Sequence, residues 1–238
     1  MVFTLEQIDA YIEALMLNAA ALIRESQILY DNDAYARAFC LAHLAREEIA
    51  KTLMLQATGV RLLAGHAVDF KKLNRRLRDH KQKLIAETMN NAVFCAGIDP
   101  DTAELMIKRG GSSSVTRNEQ KNNALYVGFE NGIVSQPLED VSKERALRTI
   151  SLAVDALTNQ SSVLKFIGPF ATRSPINIPE IRPEDIKLDA EILQMMGAVH
   201  IKVLEKAKTT QKTDIESDDS GAGADSDRSS TADDIHGE

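Results

Sequence analysis

The chain has 238 residues, of which 44% are hydrophobic and 5% aromatic, and it contains no tryptophan. This composition predicts one sizeable aliphatic core, and no apolar run approaches the roughly 18 residues that span a membrane, so we expect a cytoplasmic protein without a membrane helix. The net charge of −7 resides in residues 211–238, which hold nine acids and two bases, so residues 1–210 are formally neutral.

The first two predicted elements are helices joined by a short turn. Thr4 and Gln7 have the spacing of a capping box at the start of the first helix. Residues 31–33 predict a turn with a helix N-cap, and the second helix then runs to about residue 57, with Gly59 as its C-terminal stop. Because the link is short, we expect these two helices to pack antiparallel.

The second helix has a small apolar face. Its apolar positions recur every three or four residues, as on one side of a helix: Ala34, Ala38, Leu41, Ala42, Ala45, Ile49 and Leu53. Alanine lets another helix approach closely, so this face predicts a tight helix–helix contact. We expect the contact to join two subunits of a homodimer.

Charged residues on the second helix are predicted to be structural or interfacial. Glu47 and Lys51 are four residues apart and can pair along the helix surface, with Glu48 beside them. The alternative for Glu47 is a buried or interfacial ion pair with an arginine of the basic helix described next, which would fix the helix register. Arg37 is expected to pair with an acid of the first helix.

A third helix, predicted from an Asp69 N-cap to about residue 95, is strongly basic in its first half. Between residues 70 and 84 it carries seven lysines and arginines against a single acid, Asp79. This excess favours a phosphate-rich partner such as RNA; the alternative is an ordinary solvated face. The predicted phosphate-binding residues are Lys71, Lys72, Arg76, Arg78, Lys81 and Lys83.

The chain offers little for metal or disulfide chemistry. Cys40 and Cys95 lie between apolar residues, without a CxxC motif or a Cys–His cluster, so we expect two buried free thiols. His43 lies four residues before Glu47, but a ferritin-like metal site needs Glu-x-x-His pairs, which the sequence lacks. We therefore predict no metal and no cofactor.

The second half of the chain predicts two more helices and one irregular segment before a proline-containing linker. Residues 100–108 predict a short helix, residues 110–114 a flexible Gly-Ser loop, and the segment near residue 126 has a strand-like composition. Ser142 is the expected N-cap of a helix that runs to about residue 167.

These elements together predict an all-α bundle with a short irregular or β-like excursion near residue 126. Residues 1–168 form the helical domain, residues 169–183 the linker, and residues 184–208 a last helix that packs on the bundle. Residues 209–238 are rich in Asp, Ser, Gly, Ala and Thr and have almost nothing to bury, so we expect a disordered acidic tail.

Four segments carry a family resemblance: residues 18–23 followed by Tyr30, Tyr35 and residues 37–38; residues 41–51; residues 79–83; and, more weakly, residues 124–127 followed by Pro137. In combination they resemble the AbiV family of bacterial abortive-infection proteins, which is similar to the wider HEPN superfamily of helical toxins and ribonucleases. The chain departs from the family at Gly128, where an acid is expected.

The resemblance implies an HEPN-like helical bundle with an anti-phage function, a toxin that arrests growth or translation once infection is sensed. It also implies a homodimer, an RNA or ribosome-associated target and a phage-encoded activator protein as partners. The metal-independent ribonuclease motif of HEPN relatives is an Arg followed, a few residues later, by a His. Arg75 and His80 match it and are the candidate catalytic pair.

RNA cleavage of this kind needs a base that takes the proton of the ribose 2′-hydroxyl and a cation that stabilises the charge developing on the phosphate. Histidine suits the first role and arginine the second. On one continuous helix, residues five apart point about 140° away from each other. Arg76 and His80, four residues apart, share one face of the helix, whereas Arg75 and His80 do not. We therefore expect Arg75 and His80 to act together in a cleft between two protomers.

Alternatives remain at this point. Arg37 and His43 also match the motif, inside the alanine-rich helix, and His80 equally fits a surface or capping histidine. The whole chain is alternatively a non-enzymatic helical module that docks a phage or ribosomal protein through its apolar and basic surfaces.

Overall fold

The structure, a computed structural model, describes residues 2–130, 132–137, 141–180 and 190–219. Its helices are α1 (Leu5–Asp31), α2 (Tyr35–Leu63), α3 (Phe70–Arg78), α4 (His80–Ala96), α5 (Pro100–Asn123), α6 (Lys143–Ile167) and α7 (Ala190–Asp219), with a short 3₁₀ helix at Phe170–Thr172. Strands β1 (Gly128–Glu130) and β2 (Ile133–Ser135) form an antiparallel hairpin. The predicted all-α bundle with a small β excursion is confirmed.

Helices α1 and α2 form the antiparallel hairpin around which the bundle is built. The predicted capping box is present, since Gln7 N–H donates to Thr4 Oγ1 and Thr4 N–H donates to Gln7 Oε1. The predicted side-chain cap of α2 is absent, because Ala34 occupies the N-cap position. Asp33, with φ of 59°, lies in the turn between the helices.

Gly59 does not end α2, contrary to the prediction, since the helix continues to Leu63. The glycine instead allows the Phe170 ring to pack closely against the helix. A Cβ placed at Gly59 would lie 2.9 Å from three ring atoms of Phe170, which is fully buried. The segment after α6 is tied to α1 by Asp9, whose carboxylate accepts hydrogen bonds of 2.9 Å from the backbone N–H groups of Phe170 and Ala171. Phe170 thereby joins the core of α1, α2 and α3.

The alanine face of α2 lies inside the chain's own core. Ala38, Ala42 and Ala45 are fully buried in a cluster with residues of α1 and α6. At the same crossing, the buried Ser26 hydroxyl donates to the Ala38 carbonyl oxygen at 2.7 Å. The prediction that this face joins two subunits is therefore wrong: the close approach that alanine permits is used within one chain.

The predicted basic third helix is two helices. Asp79 has an extended backbone (φ −80°, ψ 114°) that ends α3 and begins α4. Its carboxylate accepts hydrogen bonds from the backbone N–H groups of Lys81 and Gln82, as an N-cap residue does. The single acid in this basic stretch thus marks a break that the continuous apolar pattern conceals.

Helix α5 runs through residues 110–114, where the sequence predicted a flexible loop. The hydroxyls of Ser112, Ser113 and Ser114 each donate to the backbone carbonyl three residues earlier, so their polar groups are satisfied within the helix. Gly110 lies against Thr88 of α4, where a Cβ would be in van der Waals contact with the threonine side chain at 3.4 Å. Packing on α4 therefore overrides the local preference of a Gly-Ser segment.

The later elements complete the bundle. Ser142 caps α6 as predicted, its hydroxyl accepting from the Arg145 N–H. Helix α7 packs on α4, where a Cβ at Gly97 would lie 2.8 Å from the backbone of Gly197, and it extends to Asp219, beyond the predicted end at residue 208. The structure does not describe residues 181–189, which hold the end of the predicted linker and the predicted start of this helix. Residues 220–238 of the predicted acidic tail also lie outside the described residues.

Among the helices described here, none combines the length and the hydropathy that crossing a membrane requires.

Candidate active site

Glu47 is the centre of a buried charge cluster between α2, α4 and α5. Its side chain is only 1% exposed. Lys83 Nζ lies 2.6 Å from Glu47 Oε2, Lys121 Nζ lies 3.1 Å from Oε1, and His80 Nδ1 lies 2.7 Å from Oε2. Because Lys83 and His80 belong to α4 and Lys121 to α5, one carboxylate ties three helices together.

The charge state of Glu47 follows from its partners. Burial by itself raises the pKa of Glu47, but hydrogen bonds and charges from Lys83 and Lys121 outweigh this effect and lower the pKa to about 2. The carboxylate is therefore ionised at neutral pH and accepts hydrogen bonds from Lys83 and Lys121. The two lysines more than balance its charge.

His80 connects this buried cluster to solvent, because its side chain is 48% exposed while those of Glu47, Lys83 and Lys121 are buried. Its Nδ1 lies within hydrogen-bond distance of both Glu47 Oε2 (2.7 Å) and Lys121 Nζ (3.0 Å). A protonated Nδ1 donates to Glu47 and leaves Nε2 with a free lone pair. An unprotonated Nδ1 accepts from Lys121 and puts the proton on Nε2. Nδ1 therefore has a partner in either tautomer, and donation from Nδ1 to Glu47 is the arrangement that leaves the Nε2 lone pair able to accept a proton.

Arg75 lies in the last turn of α3, on the other side of the break at Asp79 from His80. The 140° separation expected on one continuous helix therefore does not apply, although among the described residues no hydrogen bond joins Arg75 to His80. Arg75 is exposed and lines a cleft of about 480 Å³ with Lys71, Asn74 and Arg78. Of the other predicted phosphate-binding residues, three are also exposed: Lys72, Arg76 and Lys81.

Lys83 differs from the rest of the predicted phosphate-binding set. Its side chain is 6% exposed and its ammonium group pairs with Glu47. A lysine so buried and paired is not available to a phosphate on the surface. The prediction of a phosphate contact at Lys83 is corrected: Lys83 is a structural partner of Glu47. The buried pair between Glu47 and the basic segment uses this lysine rather than an arginine.

The predicted pairing along α2 is also corrected. Lys51 pairs with Glu48, at 2.5 Å, and not with Glu47, because Glu47 points into the cluster between helices. Arg37 is exposed, and within the described part of the chain the predicted ion pair with an acid of α1 is not formed. Cys40 is a buried free thiol as predicted, whereas Cys95 is only half-buried.

A second buried carboxylate, Glu87, lies on α4 beside the first cluster. Arg46 Nε lies 2.5 Å from Glu87 Oε1, and an Arg117 Nη2 donates to Oε2. Burial raises the pKa of Glu87, but the charges of Arg46 and Arg117 outweigh it and leave the pKa below its ordinary value. Helices α2, α4 and α5 are thus joined by two charge clusters stacked along α4.

His43 lies between the two clusters. Burial, together with the nearby charge of Arg117, lowers the pKa of His43 to about 4, so the ring is neutral near pH 7. Its Nε2 lies 3.6 Å from Glu47 Oε1, which is beyond hydrogen-bond range, and it has no hydrogen-bond partner among the described residues. Because His43 is 2% exposed, the histidine of the Arg37–His43 match lies behind Glu47 and, unlike His80, does not face solvent.

Sequence reasoning missed Lys121, Glu87 and Arg117. Lys121 follows the segment predicted as a flexible loop, so no spacing signal linked it to Glu47, 74 residues earlier. Glu87 and Arg46 carry no local signal either, because their pairing spans two helices. The described residues hold no group of three or more His, Cys, Asp or Glu side chains suited to a metal ion.

Comparison with known proteins gives one match. A family model of the HEPN group, described as AbiV, matches residues 7–158, which include α1 to α5, the hairpin and most of α6. No curated protein and no solved structure matches the chain.

Proposed function

We propose that this chain, which belongs to the AbiV family of HEPN proteins, cleaves RNA to arrest growth or translation during phage infection. Membership in the family supports an abortive-infection function of HEPN type. The finer proposal assigns His80 as general base and acid and Arg75 as the cation that stabilises the reacting phosphate, with RNA or a ribosome-associated RNA as the target.

The observation that carries the proposal is the environment of His80. A half-exposed imidazole has its Nδ1 within 2.7 Å of a buried carboxylate and 3.0 Å of a buried ammonium group. A carboxylate behind a histidine fixes the orientation of the ring and stabilises the imidazolium that forms when the ring takes a proton. The imidazolium can then return this proton to the leaving oxygen, so the same ring serves both halves of an acid–base cycle.

The proposed reaction is an internal transfer at phosphorus. His80 Nε2 takes the proton of the ribose 2′-hydroxyl, and the 2′-oxygen forms a bond to the adjacent phosphorus. The bond to the 5′-oxygen of the next nucleotide breaks, and this oxygen takes the proton back from His80. The products are a 2′,3′-cyclic phosphate and a 5′-hydroxyl end. Arg75 contributes by balancing negative charge on the phosphate oxygens.

Exposed cations beside His80 support a polyanionic substrate. Five of them, Lys71, Lys72, Arg75, Arg76 and Arg78, lie on the nine-residue helix α3, and Lys81 follows on α4. Such a surface attracts the RNA backbone without reading its sequence. A homodimer, with one protomer's Arg75 reaching the other's His80, is part of the proposal, as is a phage-encoded activator. The dimer contact must use a surface other than the buried alanine face.

The test is RNA sequencing of 5′-hydroxyl ends in cells that express the wild type or His80→Ala, with Gln82→Ala as the matched control for loss of a neighbouring uncharged side chain on α4. We expect discrete new ends and growth arrest with the wild type and Gln82→Ala, and neither with His80→Ala at equal protein level. Unchanged toxicity of a folded His80→Ala variant would contradict catalysis.

A non-enzymatic docking role is the second candidate, and the hairpin favours it. Five apolar side chains there are more than half exposed: Tyr126, Val127, Phe129, Ile133 and Val134. Contiguous exposed apolar residues mark protein-binding surfaces. In that case toxicity would depend on Phe129 and would survive His80→Ala, because a single rim histidine contributes little to a protein interface.

A further inference from the structure

Residues 69–81, here called the α3 cationic surface, carry exposed cations that are not in ion pairs within the described part of the chain. These are Lys71, Lys72, Arg75, Arg76, Arg78 and Lys81. The two acids of this stretch, Asp69 and Asp79, are helix N-caps whose carboxylates accept hydrogen bonds from backbone N–H groups. Six cations against two acids leave the α3 cationic surface with a net charge of +4.

The last residues of the sequence carry the opposite charge. Residues 220–238 hold five acids and a single base, so their net charge is −4. Ile235 is their one large apolar residue, and a segment of this composition has almost nothing to bury in a core. Contacts between this segment and the helical bundle therefore depend on charge rather than on apolar packing.

Helix α7 leads this segment to the part of the bundle that holds α3. Lys206 Nζ lies 5.5 Å from the centroid of the Phe166 ring, in the last turn of α6. The next residue of α6, Ile167, packs on the same core as Leu73 and Leu77 of α3. At residue 206, α7 has therefore reached the end of α6 that lies beside the core of α3.

The segment is long enough to cover α3 from there. Residues 220–238 are 19 residues, which span up to about 65 Å when extended. The longest helix of the bundle described before α7 is α2, whose 29 residues measure about 44 Å. The reach of the segment thus exceeds this dimension, and the α3 cationic surface is accessible to it from the end of α7.

We propose that residues 220–238 dock on the α3 cationic surface of the same chain and compete there with nucleic-acid strands. Clustered like charges repel each other, and an acidic segment lying on them relieves this repulsion. The consequence for RNA rests on the proposed function, because RNA is the polyanion that α3 would otherwise bind. A strand must displace the segment before its phosphates reach Arg75 and the neighbouring His80.

The size of the competition follows from the tether. A tethered segment has an effective concentration of about 1 mM at a surface within its reach. Non-specific charge contacts with a polyanion have a Kd of about 10⁻⁴ M. The segment then covers the α3 cationic surface about ten times as often as it leaves it free, so it should weaken strand binding about tenfold.

The first test maps docking without any nucleic acid. A carbodiimide, which joins a carboxylate to an amine in direct contact, is applied to the full wild-type chain, and the cross-links are located by mass spectrometry. We expect links from the acids of residues 220–238 to Lys71, Lys72 or Lys81, and their loss in about 0.5 M NaCl, which screens charges. Lys108 of α5 and Lys143 of α6 are the matched reference lysines, since both are exposed and lie outside α3.

Three results of this test would overturn docking within one chain. The first is that no link joins the segment to a lysine of the α3 cationic surface. The second is that links to Lys108 and Lys143 are as frequent as links to α3. The third comes from a mixture of ¹⁵N-labelled and unlabelled chains: links that join the two isotopes would place the segment on a neighbouring copy.

The second test measures the competition by fluorescence anisotropy with a labelled 20-nucleotide oligodeoxythymidine, which lacks the 2′-hydroxyl and so survives the proposed cleavage. The variant neutralises the acids of the segment: Asp225→Asn, Asp227→Asn, Asp233→Asn, Asp234→Asn and Glu238→Gln. The matched control changes five uncharged residues of the same segment: Ser220, Ser226, Ser229, Ser230 and Thr231, each to Asn.

We expect the neutralised variant to bind the strand about tenfold more tightly than the wild type, and the control to bind like the wild type. Equal affinity of the wild type and the neutralised variant would overturn the competition. If no variant binds the strand while the cross-links to α3 form, docking stands and the polyanionic substrate of the proposed function is wrong. The two proposals therefore fail separately.

Discussion

Glu47→Gln should destabilise the chain strongly, because it removes the counter-charge of two buried lysines. Lys83 and Lys121 each have a side chain that is 6% exposed, and each lies within 3.1 Å of the Glu47 carboxylate. A glutamine of the same shape keeps the packing but leaves both ammonium groups without a compensating charge. Removing one partner of a buried pair typically costs about 3–5 kcal/mol.

The pKa of Glu47 gives an independent magnitude. It falls from its ordinary value of 4.5 to about 2 in the folded chain. Since each pKa unit is worth about 1.4 kcal/mol, this difference corresponds to about 3 kcal/mol of stability at neutral pH. The two routes agree, so we expect a loss of about 3 kcal/mol.

Urea unfolding followed by circular dichroism measures this loss. Glu48→Gln is the matched control, because Glu48 is the next residue and its pair with Lys51 is partly exposed, so about 0–1 kcal/mol is expected. Replacing Lys83 and Lys121 by Met in the Glu47→Gln background should recover most of the stability. If Glu47→Gln and Glu48→Gln unfold at the same urea concentration, the buried carboxylate does not hold the three helices together.

Three further outcomes are expected. Stability should fall as the pH drops from about 5 towards 2, because the depressed pKa of Glu47 stabilises the fold only while the carboxylate is charged. Glu47→Gln should flatten this part of the profile, whereas a separate loss between about pH 6.5 and 4, caused by the depressed pKa of the buried His43, should remain. Gly59→Ala should destabilise by about 1–3 kcal/mol through collision with Phe170, whereas Gly111→Ala, which meets open space in α5, should stabilise slightly; equal effects in thermal melts would contradict the packing argument. Asp79→Ala should cost about 1 kcal/mol and Asp79→Asn much less, since only the alanine variant loses the cap of α4, as urea titrations would report.

Local signals predicted the parts of the fold that depend on neighbouring residues. The Thr4–Gln7 capping box and the Ser142 cap involve residues three positions apart, so their patterns are complete within one short segment. The break at Asp79 was missed because apolar residues continue at helical spacing across it. The Gly-Ser stretch of α5 was missed for the opposite reason, since its helical state depends on packing against Thr88.

The sequence predicted that Glu47 pairs with a positively charged residue, but not which residues would be its partners. One of the two alternatives predicted for Glu47 was a buried pair with an arginine of the basic segment; the pair with that segment is formed, but with Lys83. The sequence could not indicate that Lys121 completes the pair or that Lys83 is withdrawn from the surface, because both facts depend on how α2, α4 and α5 cross. The alanine face was predicted to contact a second subunit, but it contacts α1 and α6 of the same chain. Periodicity shows that a helix face is buried, and it does not show which helix buries it.

The hydrogen bonds between Asp9 and the Phe170 segment determine where the chain can be truncated without loss of stability. A chain shortened at residue 168 would lose the Phe170 ring and leave a cavity next to Gly59. The Asp9 carboxylate would also lose the two backbone N–H groups that donate to it. A fragment limited to residues 7–158, the stretch that matches the family model, ends within α6 and lacks Phe170. We therefore expect it to be less stable than the longer chain. Excised fragments should retain residue 172 or beyond.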